Sequence, residues 1–197
     1  GENERFYSNL KEKDFVGNSF FNYDFSVENK TRLFEIGGDV RYTKRDFESI
    51  IFNHDFSTRT PIDVENPDLI FNQTSLNNGI FELETGRGTA SNPRVFDPFT
   101  YNAVRFIGAG YGKYTHSFNN KLIGVVGLRG EFAFQEAKYD TNIANSRTNG
   151  KANLEDLYFL PSLSLKYNFN ENSILRFNTS KTYTYPQFKE IAPFKYQ

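Results

Sequence analysis

Chemistry-bearing residues are scarce in this chain. His54 and His116 are its only histidines, and it has no cysteine. A metal centre needs several such ligands converging, and neither histidine has a carboxylate at a ligand spacing. Both read as ordinary surface or interior-facing side chains, and no metal site is expected. The missing cysteines exclude disulfide scaffolds, thiolate zinc sites and thiol catalysis. Gly108-Ala109-Gly110-Tyr111-Gly112 has the glycine density of a dinucleotide loop. Its spacing is wrong for that motif, however, and no helical pattern follows it. Its glycines share one face of a strand, where they are expected to make room for a neighbouring aromatic ring. Arg129 and Glu131, two apart on one face, can pair with each other, and that pairing reads as structural. No G-x-S-x-G elbow and no Ser/His/Asp grouping is present. The chain is expected to be a non-enzyme with no cofactor.

Composition narrows the class. Basic and acidic residues number 23 and 24, for a net charge of -1. They form no basic stripe that could follow a phosphate backbone, so nucleic acid is not an expected partner. Hydrophobic residues make up 38% of the 197 positions, and mean hydropathy is -0.62. No apolar run approaches the roughly 18 residues of a spanning helix. Yet 22 Phe and 12 Tyr bring the aromatic share to 17%, which argues against disorder over the whole length.

The elements that place these residues alternate with a period of two. From Phe21 to Val27, Phe21, Tyr23, Phe25 and Val27 oppose Asn22, Asp24 and Ser26. Next, Phe34, Ile36, Val40 and Tyr42 oppose Glu35, Asp39, Arg41, Thr43 and Arg45, with continuation through Phe47, Ile50 and Phe52. In residues 121–136, Leu122, Val126, Leu128, Phe132 and Phe134 oppose Arg129 and Glu131. Leu157 to Asn168 and Ser173 to Tyr185 form a last pair, with Leu175 and Phe177 opposing Arg176 and Asn178. Such patterns predict strands with one apolar and one polar side. Six strands follow, and their connections run short, long, short, long, short. Up-and-down strands then carry every long loop at one end, as outer-membrane barrels do with short periplasmic turns and long extracellular loops. The fold class is therefore all-β: antiparallel up-and-down strands of a partial transmembrane β-barrel. The alternative is a soluble β-sandwich or small barrel that binds carbohydrate or another ligand through its loops.

The two long loops are expected over 53–102 and 137–156. The first contains Pro61, Pro67, Pro93 and Pro98, and Leu69-Ile70-Phe71 with Ile80-Phe81-Glu82-Leu83 could form a small hairpin within it. Asn142, Asn145, Asn149 and Gly150 make the second plainly polar.

Asn153 to Phe194 resembles the barrel of TonB-dependent outer-membrane receptors, in the style of Bacteroidota. The matching pieces are Phe159-Leu160-Pro161-Ser162-Leu163, Leu175-Arg176-Phe177, Ser180-Lys181-Thr182 and the run from Tyr185-Pro186 to Pro193-Phe194. Gly127-Leu128-Arg129-Gly130-Glu131 and Phe34-Glu35-Ile36-Gly37-Gly38-Asp39 are similar to other strands of that family. The resemblance implies a barrel of about 22 strands closed by a plug, which imports an iron-siderophore, cobalamin or a glycan with energy delivered by TonB. Residues 1–197 would be one part of that barrel domain, without its plug and C-terminal strands. Expected partners are outer-membrane lipid, the TonB complex through the plug, and the transported small molecule. The location is the outer membrane of a Gram-negative bacterium. Lumen-facing Asp39, Arg41, Arg129, Glu131 and Arg176, with loop aromatics Phe96, Phe99 and Tyr101, are the expected ligand contacts. Open sheet edges are expected to promote self-association of the segment.

Overall fold

A computed structural model describes residues 4–28, 30–141 and 148–192. Its strands are β1 (Glu4–Asp24), β2 (Arg32–Phe56), β3 (Phe81–Thr85), β4 (Phe99–Ser117), β5 (Leu122–Thr141), β6 (Thr148–Asn170) and β7 (Ser173–Ser180). They form one antiparallel sheet in the order β1-β2-β4-β5-β6-β7, with β3 attached to β2. The sheet curls into a half-barrel. The short turns gather at one end, here the turn end, and the chain 57–98 lies at the other, the loop end. At the turn between β4 and β5, Asn119 Oδ1 accepts from the backbone N–H groups of Lys121 and Leu122, both at 2.8 Å. Asn side chains favour turns by closing such local bonds. No helix among the described residues is long and apolar enough to cross a membrane, which says nothing of strands.

Register aligns the side chains in rows across the sheet. Phe15, Tyr42, Phe106 and Phe134 form one such row on the apolar, outer face. Tyr23, Phe34 and Tyr114 form another towards the turn end. Between them lie Ile36, Val40, Leu128 and Phe159, and Val126 continues the row of Tyr114; Val126 and Leu128 are each 55% exposed, and no second sheet covers them among the described residues. Eight residues of β2 separate Tyr42 from Phe34. That is roughly 27 Å along a strand, or roughly 20 Å of height at the tilt of a membrane barrel. Two aromatic rows bounding an apolar band of about 25 Å are what a lipid-facing surface requires. Immediately beyond the upper row the outer face turns charged, with Lys13, Lys44 and Glu136 in register.

Several sequence expectations need correction. β1 begins at Glu4, far ahead of Phe21, because its charged half pairs with β2 through Glu12↔Arg45 and Asp14↔Thr43. Most of the expected loop 137–156 is strand, paired from Ala137↔Ala152 to Asp140↔Asn149. Above the lipid band the outer face meets water, so the backbone ladder persists without apolar alternation. Asn142 and Asn145 lie outside the described residues. The expected hairpin is also different. Pro67–Leu69 is a 3-10 turn, Gln73–Asn77 is a helix (α1), and Phe81–Thr85 pairs with β2 beyond the end of β4. Asn72 caps α1, its Oδ1 accepting from Ser75 N at 2.9 Å.

The glycines of 108–112 do not all accommodate a ring as expected. A Cβ at Gly112 would have no neighbour within 4 Å, and one at Gly110 would meet only the Gly37 carbonyl at 4.0 Å. The crowded glycine is Gly37 on β2, where a Cβ would come within 2.7 Å of the Tyr111 ring. Finally, β7 stops at Ser180 rather than reaching Tyr185. The chain then folds onto the polar face, where Phe188–Ile191 forms a short helix (α2). There Phe188 and Ala192 join Tyr101, Ala103 and Ala137 in the buried core, flanked by Phe47, Tyr139 and Ile191.

Candidate functional site

The polar, inner face is built by the strand residues that alternate with the apolar band. Asp39 of β2 and Arg129 of β5 meet across β4, with Arg129 Nη2 donating to Asp39 Oδ2 at 2.8 Å and Nη1 to Oδ1. This fork is the geometry that a planar guanidinium offers a carboxylate. Arg129 Nε also donates to Glu131 Oε2 at 2.7 Å. The other oxygen of Glu131 accepts from the hydroxyls of Tyr183 and Tyr185. Glu131 is 7% exposed, so its charge is held by three donors instead of water.

A second cluster lies towards the loop end. Arg41 Nε donates to Asp14 at 3.0 Å, and Thr43 Oγ1 donates to the same carboxylate at 2.7 Å. Arg45 donates to Glu12 at 2.5 Å. Arg105 donates to Gln135 Oε1 at 2.9 Å and to the Pro186 carbonyl at 3.0 Å, which Gln135 Nε2 also reaches at 3.1 Å. The guanidinium groups of Arg45 and Arg105 lie 5.1 and 4.7 Å from the Phe188 ring centre, in cation–π range. Tyr158 stacks on Tyr183 with ring centres 3.7 Å apart. Residues 181–192 thus form a strap across the inner face, held by Glu131, Arg105, Gln135 and the Phe188 pocket. Among the described residues, no group of three His, Cys, Asp or Glu side chains could hold a metal ion.

The model of the outer membrane protein beta-barrel family matches residues 7–197. The chain belongs to that family. As an outer-membrane barrel protein, it directs its apolar band to lipid and its paired charges to the lumen, and its location is the outer membrane. No curated protein matches the chain.

In this barrel the sequence-selected residues divide. Asp39, Arg129 and Glu131 form one connected group, while Arg41 is engaged separately by Asp14. Arg176 shares the inner face but lies at the β7 edge, opposite Lys166. Phe96 remains in the loop, 56% exposed and 6.4 Å from the Phe52 ring. Phe99 and Tyr101 are not loop aromatics, because β4 already begins at Phe99. Phe99 lies beneath the Arg87 guanidinium at 4.7 Å. Tyr101 is 3% exposed and stacked on Phe47, so burial removes it from any ligand. His116 lies on the outer face beside Tyr114, and His54 packs between Phe71 and Phe81.

Sequence reasoning missed Arg105, Gln135, Tyr158, Tyr183, Tyr185 and Phe188. Arg105 and Gln135 had a usable signal, since both share the strand parity of inward-facing neighbours. The strap residues follow a strand with no further alternation to mark their fold.

Proposed function

We propose that this chain forms part of the wall of a TonB-dependent receptor, which imports an iron-siderophore chelate, cobalamin or a glycan into the periplasm. The carrying observation is that a path of six antiparallel strands curls through only half a barrel around a face of paired charges. Eight-stranded barrels are filled by their own side chains, whereas wide ones enclose a channel or a plugged lumen. Six strands that complete only half the circumference need a closed wall of more than about eight, so the paired-charge face would border a lumen. The similarity of residues 153–194 to TonB-dependent receptors supports the finer assignment, and energy would reach the barrel from TonB through a plug. Asp39, Arg129 and Glu131 would meet the passing ligand or the plug, with Arg41 and Arg176 as flanking cations. Each contact would exchange an existing ion pair for another, so passage requires no isolated buried charge. This reading assigns transport and no bond-making step.

The test is uptake of labelled ferric siderophores, cobalamin and oligosaccharides by cells with and without the protein, in backgrounds with and without TonB. One ligand is expected to enter only when both are present. Uptake that survives loss of TonB would assign the barrel to passive diffusion instead.

A further inference from the structure

At the turn end, the outer face carries a cation that the apolar band does not explain. Arg32 opens β2 directly opposite His116 of β4, and the same row continues through Gly124 of β5 to Leu165 of β6. The Arg32 Nε is buried and has no hydrogen-bond partner among the described residues. Its backbone N–H is tied to Ser26 Oγ at 2.9 Å, which fixes the base of the side chain. The Tyr114 hydroxyl lies 3.2 Å from His116 Nδ1. Aromatic rings surround this position: Phe25 stacks on Tyr114 at 6.1 Å, and His116 meets Phe118 edge-on at 4.8 Å.

Beside these polar groups is an apolar groove of about 260 Å³, walled by His116, Phe118, Val126, Leu163 and Leu165 around Gly124. Its floor exists because residue 124 has no side chain. A Cβ there would come within 3.0 Å of the Phe118 ring and 3.3 Å of Leu165. The groove opens on the lipid-facing side at the short-turn end, which in outer-membrane barrels is periplasmic. An aromatic girdle marks the depth at which lipid headgroups begin.

We propose that this is a phospholipid site, with the lipid phosphate on Arg32 and His116 and one acyl chain in the groove over Gly124. Phosphate suits an arginine at this depth, because the terminal nitrogens of the guanidinium present a planar fork to anionic oxygens. The location supplies the rest: a cation at the headgroup depth, opposite the His116 that walls an apolar slot leading towards the band, matches a molecule that carries phosphate and alkyl chain together. The site depends on the outer-membrane placement and is independent of what the barrel transports.

The test uses protein extracted from the outer membrane in detergent, stripped of lipid and titrated by native mass spectrometry. The probes are phosphatidylglycerol, diacylglycerol with the same chains, and inorganic phosphate. Phosphatidylglycerol should bind in preference to both others. Arg32→Gln should weaken it about tenfold, the scale of one charge-assisted contact. Gly124→Leu should weaken it comparably by filling the groove, while Lys44→Gln at the opposite rim should leave it unchanged. Heat-dependent gel migration checks that each variant is folded, and Arg32→Gln carries the test alone if Gly124→Leu fails that check. Undiminished binding to Arg32→Gln would overturn the proposal. So would diacylglycerol binding as tightly as phosphatidylglycerol, or inorganic phosphate matching the lipid.

Discussion

The turn half and the loop half of this sheet use the same strands with opposite polarity. In the turn half, Val126, Leu128, Phe34 and Ile36 point outward, while Asp39, Arg129 and Glu131 point inward. In the loop half, Lys44, Asp46, Glu136 and Lys138 point outward, while Phe47, Tyr101, Ala103 and Ala137 point inward. The exchange occurs near Thr43 and Lys44, just past the row of Phe15, Tyr42, Phe106 and Phe134. The pairing runs through this point without a bulge, so the backbone alternation continues and only the residue choice changes phase. The difference teaches where the surrounding medium changes. Below that row the outer solvent is lipid, and apolar side chains face it. Above it both sides meet water, and the strands need an apolar core of their own, which the strap completes with Phe188 and Ala192.

The largest effect should come from breaking the loop-half core. Phe188 is 2% exposed, and Phe188→Ala should cost about 3–5 kcal/mol of local stability through the cavity it leaves. Hydrogen exchange across residues 182–192 should accelerate strongly, while the lipid-facing half of β5 stays protected. Equal loosening of both halves would mean that the inner core and the membrane band are not separate supports.

Next in size is the same charge placed outside each half. Phe159→Arg, level with Gly38 and so halfway between the two aromatic rows, should destabilise the folded barrel by about 2–4 kcal/mol, the scale for arginine facing lipid near midplane. Asn102→Arg lies on the same outer face but beyond the charged row, beside Asp46, to which Asn102 now donates at 2.7 Å. It should leave unfolding in urea-titrated bilayers nearly unchanged. If both variants are equally tolerated, the apolar band is not in lipid.

This division also explains what was legible in the sequence. Alternation around Phe34–Tyr42 and Leu122–Phe134 identifies the faces correctly, because lipid on one side and charge on the other separates residue types sharply. It places Asp39, Arg129 and Glu131 on one face, where the structure joins them. Beyond Thr43 the signal weakens, since Lys44 and Arg45 are both cations on opposite faces. The run Lys11-Glu12-Lys13-Asp14 has no apolar partner residues at all, and its strand is visible only through pairing with β2. The polar residues Asn149 and Gly150 suggest loop for the same reason. The strap was hidden because its burial depends on residues contributed by β2, β4 and β5, far away in sequence.

A smaller effect should distinguish the two charge clusters of the inner face. Glu131→Gln keeps the shape of the side chain but removes the charge shared by Arg129, Tyr183 and Tyr185. With Glu131 buried, the loss should be about 1–3 kcal/mol, seen as weaker strap protection and reduced urea stability. Asp14→Asn, at the edge strand, should do less, because Arg41 can be hydrated when its partner is neutral. A larger loss from Asp14→Asn would place the main support of the lumen face at β1 rather than under the strap.

The smallest effect belongs to the chain 57–98 at the loop end, which links β2 to β4. Asp63 accepts from the backbone N–H of Glu65 at 2.9 Å and from Asn66 Nδ2 at 3.3 Å. These bonds favour the carboxylate and hold its pKa below the ordinary value of 3.8. Folded Asp63 therefore binds its proton less readily than the unfolded chain does. Its contribution is complete above the unfolded pKa and is lost as pH falls through the lowered, folded value. Acidification should first release the Asp63–Asn66 turn, read as amide exchange at Glu65, with the strap and the lipid band unaffected. An Asp63→Asn protein should show no such acid-dependent step there. If its exchange at Glu65 still rises over the same pH range, another group controls the turn, and the loop is coupled to the sheet's own titration.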